Sequence, residues 1–331
     1  MKKMCLVSGL CVMLCVWTTP VWSKAELLPV DTFDEMKKIV EDLGEDSIKH
    51  TLIVMDDDDT LTMMKCHDPK SPEHCQYLGG PAWYAWQSSL VPPLMNKNGL
   101  APSKAEKKIA KQYRVADTQE KLLNISTLLL AMNDMPLTEK AIPDILGGLT
   151  KKGAKVLVLT ARGVSNVSAT ERQFSLLRSF PAEEGSFLSS IERHALVDKK
   201  SGIASMAGPI IPSSCQASRS IAYQQGVMYV SGQNKGHMLK CFLERTNSRH
   251  IKNIVFIDDT LANAEDVFNS FEQSKTYNVK SLHYTLLFEH KLALTKESKN
   301  QSVNKYQKKA HKRWTTIKKV LVNQQILPAT E

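Results

Sequence analysis

The chain has 331 residues, 43 of them Lys or Arg and 34 Asp or Glu, so its formal net charge is +9 at pH 7. No internal repeat or low-complexity segment interrupts it, which excludes a repeat array and leaves room for one large α/β domain with insertions, or for a core plus a cap. A positive balance of this size identifies no partner.

Lys2 and Lys3 precede an apolar run from Met4 to Trp17, and Val21-Trp22-Ser23 suits cleavage before Lys24, so residues 1–23 read as a signal peptide. The run is shorter than the about 20 apolar residues that span a membrane. Leu10 and Leu14, rather than small residues, precede Cys11 and Cys15, which argues against lipidation. The expected destination is periplasmic or secreted. Removing the leader leaves Cys66, Cys75, Cys215 and Cys241, an even set suited to an oxidising compartment.

Asp31 to Leu43 reads as an amphipathic helix, with Thr32 and Glu35 as a capping box and Phe33, Met36, Val40 and Leu43 on one face. Leu52-Ile53-Val54-Met55 then reads as a buried strand that delivers Asp56-Asp57-Asp58-Asp59 at its tip. Gathering like charges there is costly unless a cation or a reaction needs them. The carboxyl ends of strands are also where open α/β sheets bind ligands. A solvated acidic turn is the plain alternative. An EF-hand fails, because its sixth and twelfth positions would be Leu61 and His67 rather than Gly and Glu.

Further along, Cys66 and Cys75 enclose a short polar segment and are read as a disulfide. The alternative is a metal site using His67 or His74, although the spacings match no zinc pattern. Tyr77, Trp83, Tyr84 and Trp86 cluster beside Gly79-Gly80. They read as packing, or as a platform on which a nucleobase or aromatic leaving group stacks, which makes Tyr77, Trp83 and Trp86 candidate substrate-binding residues. Thr138 is predicted to cap a helix leading to a second strand, Lys155 to Thr160, which ends in a hydroxyl. Arg162 and Arg172 follow, either as anion-binding groups or as ordinary surface residues.

Residues 181–225 form an insertion without a chemical motif. After it come a strand at Gly226 to Val230, a turn, and Lys235 at the start of a helix. Asn253 to Ile257 is a third apolar strand, ending in Asp258-Asp259, and Asn278 to Thr285 is a further strand. The remaining chain is basic around Tyr306 and Trp314. It reads as an electrostatic surface for nucleic acid or anionic membrane, or, more economically, as a solvated helix face with Trp314, Ile317 and Val320 packed inward.

Asp-x-Asp-x-Thr-Leu at Asp56 to Leu61, Thr160 at a strand end, Lys235 at a helix start and Asp258-Asp259 at another strand end follow the order of the four motifs of the haloacid dehalogenase (HAD) superfamily. The chain resembles the phosphatases of that superfamily, including secreted bacterial acid phosphatases. The resemblance implies an α/β, Rossmannoid three-layer core with a mostly parallel five-stranded sheet and a cap-like insertion after the first strand. Residues 24–61 and 138–290 would be the core, 62–137 the cap, and 291–331 a basic C-terminal helical region.

It further implies that Asp56 is the nucleophile, forming an aspartyl-phosphate that divides one difficult displacement into two easier ones. Asp58 would protonate the leaving alcohol and then deprotonate the hydrolytic water. Thr160 would bond a phosphoryl oxygen, and Lys235 would offset the charge between carboxylate and phosphate. Mg²⁺ would be held by Asp56, the backbone carbonyl of Asp58, and Asp258, with Asp259 acting through water or as an orienting group. An acid two residues after the nucleophile points to phosphomonoester hydrolysis, and export argues against a mutase. The expectation is an exported, Mg²⁺-dependent hydrolase of a small phosphorylated substrate. The competing reading is a catalytically inactive HAD-like protein that binds an envelope or host partner.

Overall fold

The computed structural model of the chain describes residues 24–68, 71–94, 101–295 and 302–324; the expected signal peptide lies outside them. Seven strands form one sheet: β1 (Ala25–Val30), β2 (Thr51–Met55), β3 (Lys155–Thr160), β4 (Ala222–Gln224), β5 (Val227–Tyr229), β6 (Asn253–Asp258) and β7 (Asn278–Tyr284). Their order is β1-β7-β6-β2-β3-β5-β4, with all neighbours parallel except β4 and β5. The helices in chain order are α1 (Phe33–Glu41), α2 (Glu45–Ile48), α3 (Pro81–Ser88), α4 (Lys104–Tyr113), α5 (Gln119–Met132), α6 (Ile142–Lys151), α7 (Val167–Ser175), α8 (Phe187–His194), α9 (Lys235–Arg245), α10 (Leu261–Phe271), α11 (Phe288–Thr295) and α12 (Lys305–Asn323).

The inner strands are continuous apolar runs because helices cover both faces of the sheet. Successive side chains alternate between those faces. Ile53, Met55, Val156, Val158, Val255 and Ile257 share one core with residues of α1, α6, α7 and α8. Leu52, Val54, Leu157, Leu159, Ile254 and Phe256 share the opposite core with α9 and α10. A one-residue slip in β2 would exchange these faces and displace the acids at its end.

The sheet has seven strands where five were expected. All five expected strands are present, and the two additions sit at the edges, where burial gives little pattern to read. β1 carries Pro29 and only Val30 is buried, as suits an edge. β4 is three residues long and joins β5 through Gln225 and Gly226, both at positive φ, as a two-residue hairpin requires.

Thr32 caps α1 through the Glu35 N–H, but the Glu35 carboxylate accepts from Asp31 N–H rather than from Thr32, so the box is only half formed. The helix expected to begin at Thr138 begins at Ile142, with Pro143 in its first turn. The Thr138 hydroxyl instead donates to the Thr60 carbonyl, tying the start of the core crossover to the acidic loop.

The segment 62–137 contributes α3, α4 and α5, and these do not stand alone. Trp83, Trp86, Leu90, Leu122 and Leu129 share one cluster with Leu294, Ala310 and Trp314 of α11 and α12. The expected boundary at residue 290 therefore falls inside a helix that packs into the helical layer. Trp314 and Ile317 do pack inward, against the insertion, whereas Val320 is 57 % exposed. Among the described residues, no helix is long and apolar enough to cross a membrane.

Candidate functional site

The chain order reverses at β2: β3 lies on one side of it and β6 on the other. This is the crevice position in which open α/β sheets place ligands. The β2–β6 register pairs Met55 with Ile257, and the Asp56 N–H donates to the Ile257 carbonyl at 3.0 Å, so Asp56 and Asp258 leave the sheet side by side. Thr160 ends the neighbouring β3 and is fully buried.

Lys235 is carried in from a third direction. Ser231 and Gly232 turn the chain at positive φ, and the Asn234 side chain caps α9 through the His237 N–H, which fixes Lys235 at the first helical position. Gly236 follows because α9 touches α10 there: an added Cβ would collide with the Asp266 carbonyl and the Ser270 hydroxyl. Lys235 is 1 % exposed, and its ammonium pairs with the Asp56 carboxylate and, at 2.6 Å, with Asp258. Burial opposes the charge on Lys235, but Asp258 and Asp56 outweigh burial and hold it above its ordinary value.

The tetrad Asp56 to Asp59 is divided among different partners. Asp56 faces Lys235, and Thr60 Oγ1 lies 3.5 Å from its other oxygen. Asp58 instead faces Arg162, which grips both of its oxygens at 2.8 Å through Nε and Nη2. The same guanidinium pairs with Asp57 at 3.0 Å and donates to Thr170 and Gln173. Asp57 accepts the Thr62 hydroxyl at 2.7 Å, and its backbone carbonyl accepts the N–H groups of Thr60, Leu61 and Thr62. Burial nevertheless pushes the Asp57 carboxyl up to about 6, outweighing Arg162. Asp59 has positive φ, and neither buried carboxylate oxygen has a partner. Burial and the neighbouring Asp259 drive it well above the usual carboxylate range.

On the β6 side, Asp258 also accepts from Thr260 N–H and from the Asn263 amide. Asp259 pairs with Lys291 of α11, which also donates to Thr260 Oγ1 at 3.1 Å. Burial pushes the Asp259 carboxyl up to about 6, with Lys291 pulling against it.

Asp56, Asp258 and Asp259 are buried, and one ligand oxygen of each lies within 4.8 Å of the others. Asp259, expected to act at one remove, thus lies in the carboxylate set itself, while the Asp58 side chain is turned toward Arg162. The donor set suits a hard cation, since Mg²⁺ prefers oxygen ligands and needs only one or two carboxylates from the protein. Charge also fits: six carboxylates (Asp56 to Asp59, Asp258 and Asp259) face three cations (Lys235, Arg162 and Lys291). Without a further cation, burial and the neighbouring Asp258 and Asp259 keep Asp56 well above its ordinary value despite Lys235.

The proposed stacking residues do other work. Trp83 is fully buried and Tyr77 and Trp86 nearly so, all within the cluster that joins the insertion to the C-terminal helices, and Tyr77 lies against His290 with ring centroids 4.6 Å apart. Rings enclosed in this way have no free face for a leaving group. Arg172 is an exposed partner of Asp134. A groove of about 510 Å³, with Leu78, Leu129 and Ile317 among its apolar residues and Lys309, Lys312 and Arg313 among its basic ones, contains none of the acids.

Three contributors were not assigned from sequence. Asn263 lies five residues after Asp258 on the first turn of α10, a spacing that could have flagged it. Lys291 arrives from a helix 32 residues downstream of Asp259, with no local signal. Asp59 read only as an extra acid.

A protein-family profile described as "Protein of unknown function (DUF2608)" matches residues 30–327. The chain belongs to the DUF2608 family. The match covers the acidic loop, Lys235, the Asp258 loop and α11 together, so all the elements of the site fall within one DUF2608 unit. A search of curated proteins returned no match.

The two cysteine pairs form disulfides, Cys66–Cys75 and Cys215–Cys241. Disulfides persist in oxidising compartments, which agrees with an exported protein.

Proposed function

We propose that this DUF2608 protein is an exported, Mg²⁺-dependent phosphomonoester hydrolase with a HAD-like core, acting on small phosphoesters through an aspartyl-phosphate at Asp56. The observation that carries the reading is Lys235, buried and shared between Asp56 and Asp258 at the ends of adjacent strands. A carboxylate nucleophile approaching an anionic phosphoryl group needs nearby positive charge, and this lysine supplies it from a fixed helix start.

In this reading Asp56 attacks phosphorus, Thr160 donates to a phosphoryl oxygen, and Lys235 offsets the charge on both partners. Mg²⁺ held by Asp56, Asp258 and Asp259, with the Asp58 carbonyl as a further candidate, would neutralise phosphoryl charge and orient the ester. Asp58 serves first as acid and then as base. Because the Arg162 fork occupies both Asp58 oxygens, the acid role requires Arg162 to release at least one of them when substrate arrives.

That grip is also the one observation favouring the competing reading, a HAD-like binding protein that has lost turnover. A phosphate-release screen with Mg²⁺ over nucleotides, sugar phosphates and a chromogenic aryl phosphate separates the two. Release with at least one substrate class is expected. No release between about pH 4.5 and 8 with any of several divalent cations would reverse the order of the two readings.

A further inference from the structure

The Cys66–Cys75 pair has a third member that its local sequence does not contain. His290 of α11 is 1 % exposed, and one of its ring nitrogens and the two sulfurs lie within 4.8 Å of one another. Its Nδ1 is buried without a hydrogen-bond partner. Leaving a buried polar group unpaired is costly and calls for a reason. Tyr77 lies against the ring, inclined to it by 32°, which restricts its plane. Burial drives the imidazole down to about 4, so at neutral pH it is in the unprotonated form that binds metals.

We propose that, once the disulfide is opened, Cys66, Cys75 and His290 together bind one thiophilic divalent cation of the zinc class. Opening needs a dithiol reductant. Its thiolate attacks one sulfur, with Cys66 the more exposed of the two; its second thiolate then resolves the mixed disulfide. The products are two cysteine thiols and the cyclic disulfide of the reductant. The cation displaces two protons from the thiols and takes both thiolates and the imidazole nitrogen. Two sulfurs and a nitrogen select Zn²⁺ over Mg²⁺, whereas the all-carboxylate cluster suits a hard cation such as Mg²⁺. The two sites therefore sort metals by ligand softness. They are also connected, because His290 precedes Lys291, the residue that holds Asp259.

The test uses the full chain with Cys5, Cys11 and Cys15 changed to Ser, treated with a dithiol, freed of it, and titrated anaerobically with Co²⁺. Thiolate-to-Co²⁺ charge-transfer absorption reports sulfur ligation and is silent to ion bound by carboxylates. The expected result is absorption that saturates at one equivalent, is displaced by Zn²⁺, and is absent from the oxidised protein. The oxidised chain is its own control, so the result does not depend on a variant folding. Cys66→Ser should abolish the absorption, and a Cys215→Ser/Cys241→Ser double variant should retain it. Losing even an outer partner of a metal ligand costs about 10- to 100-fold in affinity, so His290→Gln should weaken binding by at least about tenfold. No charge-transfer absorption in the reduced chain, absorption that survives Cys66→Ser, or an unchanged titration of His290→Gln would each overturn the proposal.

Discussion

Asp56 and Asp58 carry the same side chain two residues apart, yet different cations hold them in different ways. On the β6 side, a single lysine ammonium is shared between the ends of two strands, and one oxygen each of Asp56, Asp258 and Asp259 lies within 4.8 Å of the others. On the β3 side, a guanidinium fork closes on both oxygens of Asp58 while also holding Asp57, Thr170 and Gln173. A lysine is a compact charge that can accept a competing ion nearby, whereas an arginine fork fixes geometry. One acidic run can thus be held in two ways: the Lys235 side has the arrangement that the proposed cation and phosphoryl group would use, and the Arg162 side ties Asp57 and Asp58 to α7.

The largest expected effect lies on the Lys235 side. Asp56→Asn keeps shape but removes nucleophilic charge, and loss of a covalent nucleophile can cost on the order of 10⁶-fold in turnover. Phosphate release should disappear while circular dichroism and the unfolding midpoint stay close to the parent. Near-parental activity would show that the nucleophile lies elsewhere.

Asp58→Asn should separate substrates by leaving group. General acid catalysis contributes roughly 10²- to 10⁴-fold, so an alkyl phosphate should lose about that much and an aryl phosphate with an acidic phenol far less. Equal losses would confine Asp58 to the structural partnership with Arg162.

Arg162→Met and Lys235→Met compare the two sides directly in urea unfolding. Breaking a buried ion pair from one side costs about 3–5 kcal/mol, and Arg162→Met should lose about this much with or without Mg²⁺. Lys235→Met should be destabilised in the metal-free state and recover part of the loss when Mg²⁺ is added. Equal recovery in both variants would erase the asymmetry.

Asp258→Asn should raise the Mg²⁺ concentration needed for half-maximal activity by about 10- to 100-fold, an order typical of lost metal-site partners. An unchanged requirement would remove Asp258 from the ligand set.

The smallest effect is the pH dependence of metal stabilisation. Asp57 and Asp259 are held near 6 in the fold, against about 3.9 for a free aspartate. Their contribution to metal-free stability is therefore full below about 4 and is lost as pH rises through 6. His290, held near 4, works in the opposite direction over a similar window. Mg²⁺ requires charged carboxylates, so a saturating concentration should raise the melting temperature more at pH 7.5 than at pH 5. At 100 times the dissociation constant the stabilisation is about 2.7 kcal/mol. An equal or larger rise at pH 5 would place the ion outside the carboxylate cluster.

Most of the sheet was legible because β2, β3 and β6 are apolar runs buried on both faces, and polar groups stand at or just past their ends. The edges were less legible. β1 contains a proline and little burial, and β4 is too short for any period to show. Within the site, Lys235 could be read because the strand and turn before it fixed its place. Arg162 and Arg172 looked alike in sequence, and only the third dimension separates the buried bridge between Asp57 and Asp58 from the exposed partner of Asp134. Lys291 and His290 were hidden for another reason: nothing local to α11 shows that it folds back over the acids and the Cys66–Cys75 loop. The aromatic stretch was ambiguous because rings that pack and rings that stack on a ligand have the same composition.

Trapping the covalent intermediate asks whether Asp56 takes up the phosphoryl group. The protein would be mixed with Mg²⁺ and its best substrate from the phosphate-release screen, quenched in acid during turnover, and digested for peptide mass spectrometry. The expected result is a phosphoryl adduct on Asp56 that is lost in Asp56→Asn and accumulates when Asp58→Asn slows hydrolysis of the intermediate. An adduct on another residue, or sustained phosphate release with none trapped in either the parent or Asp58→Asn, would contradict it.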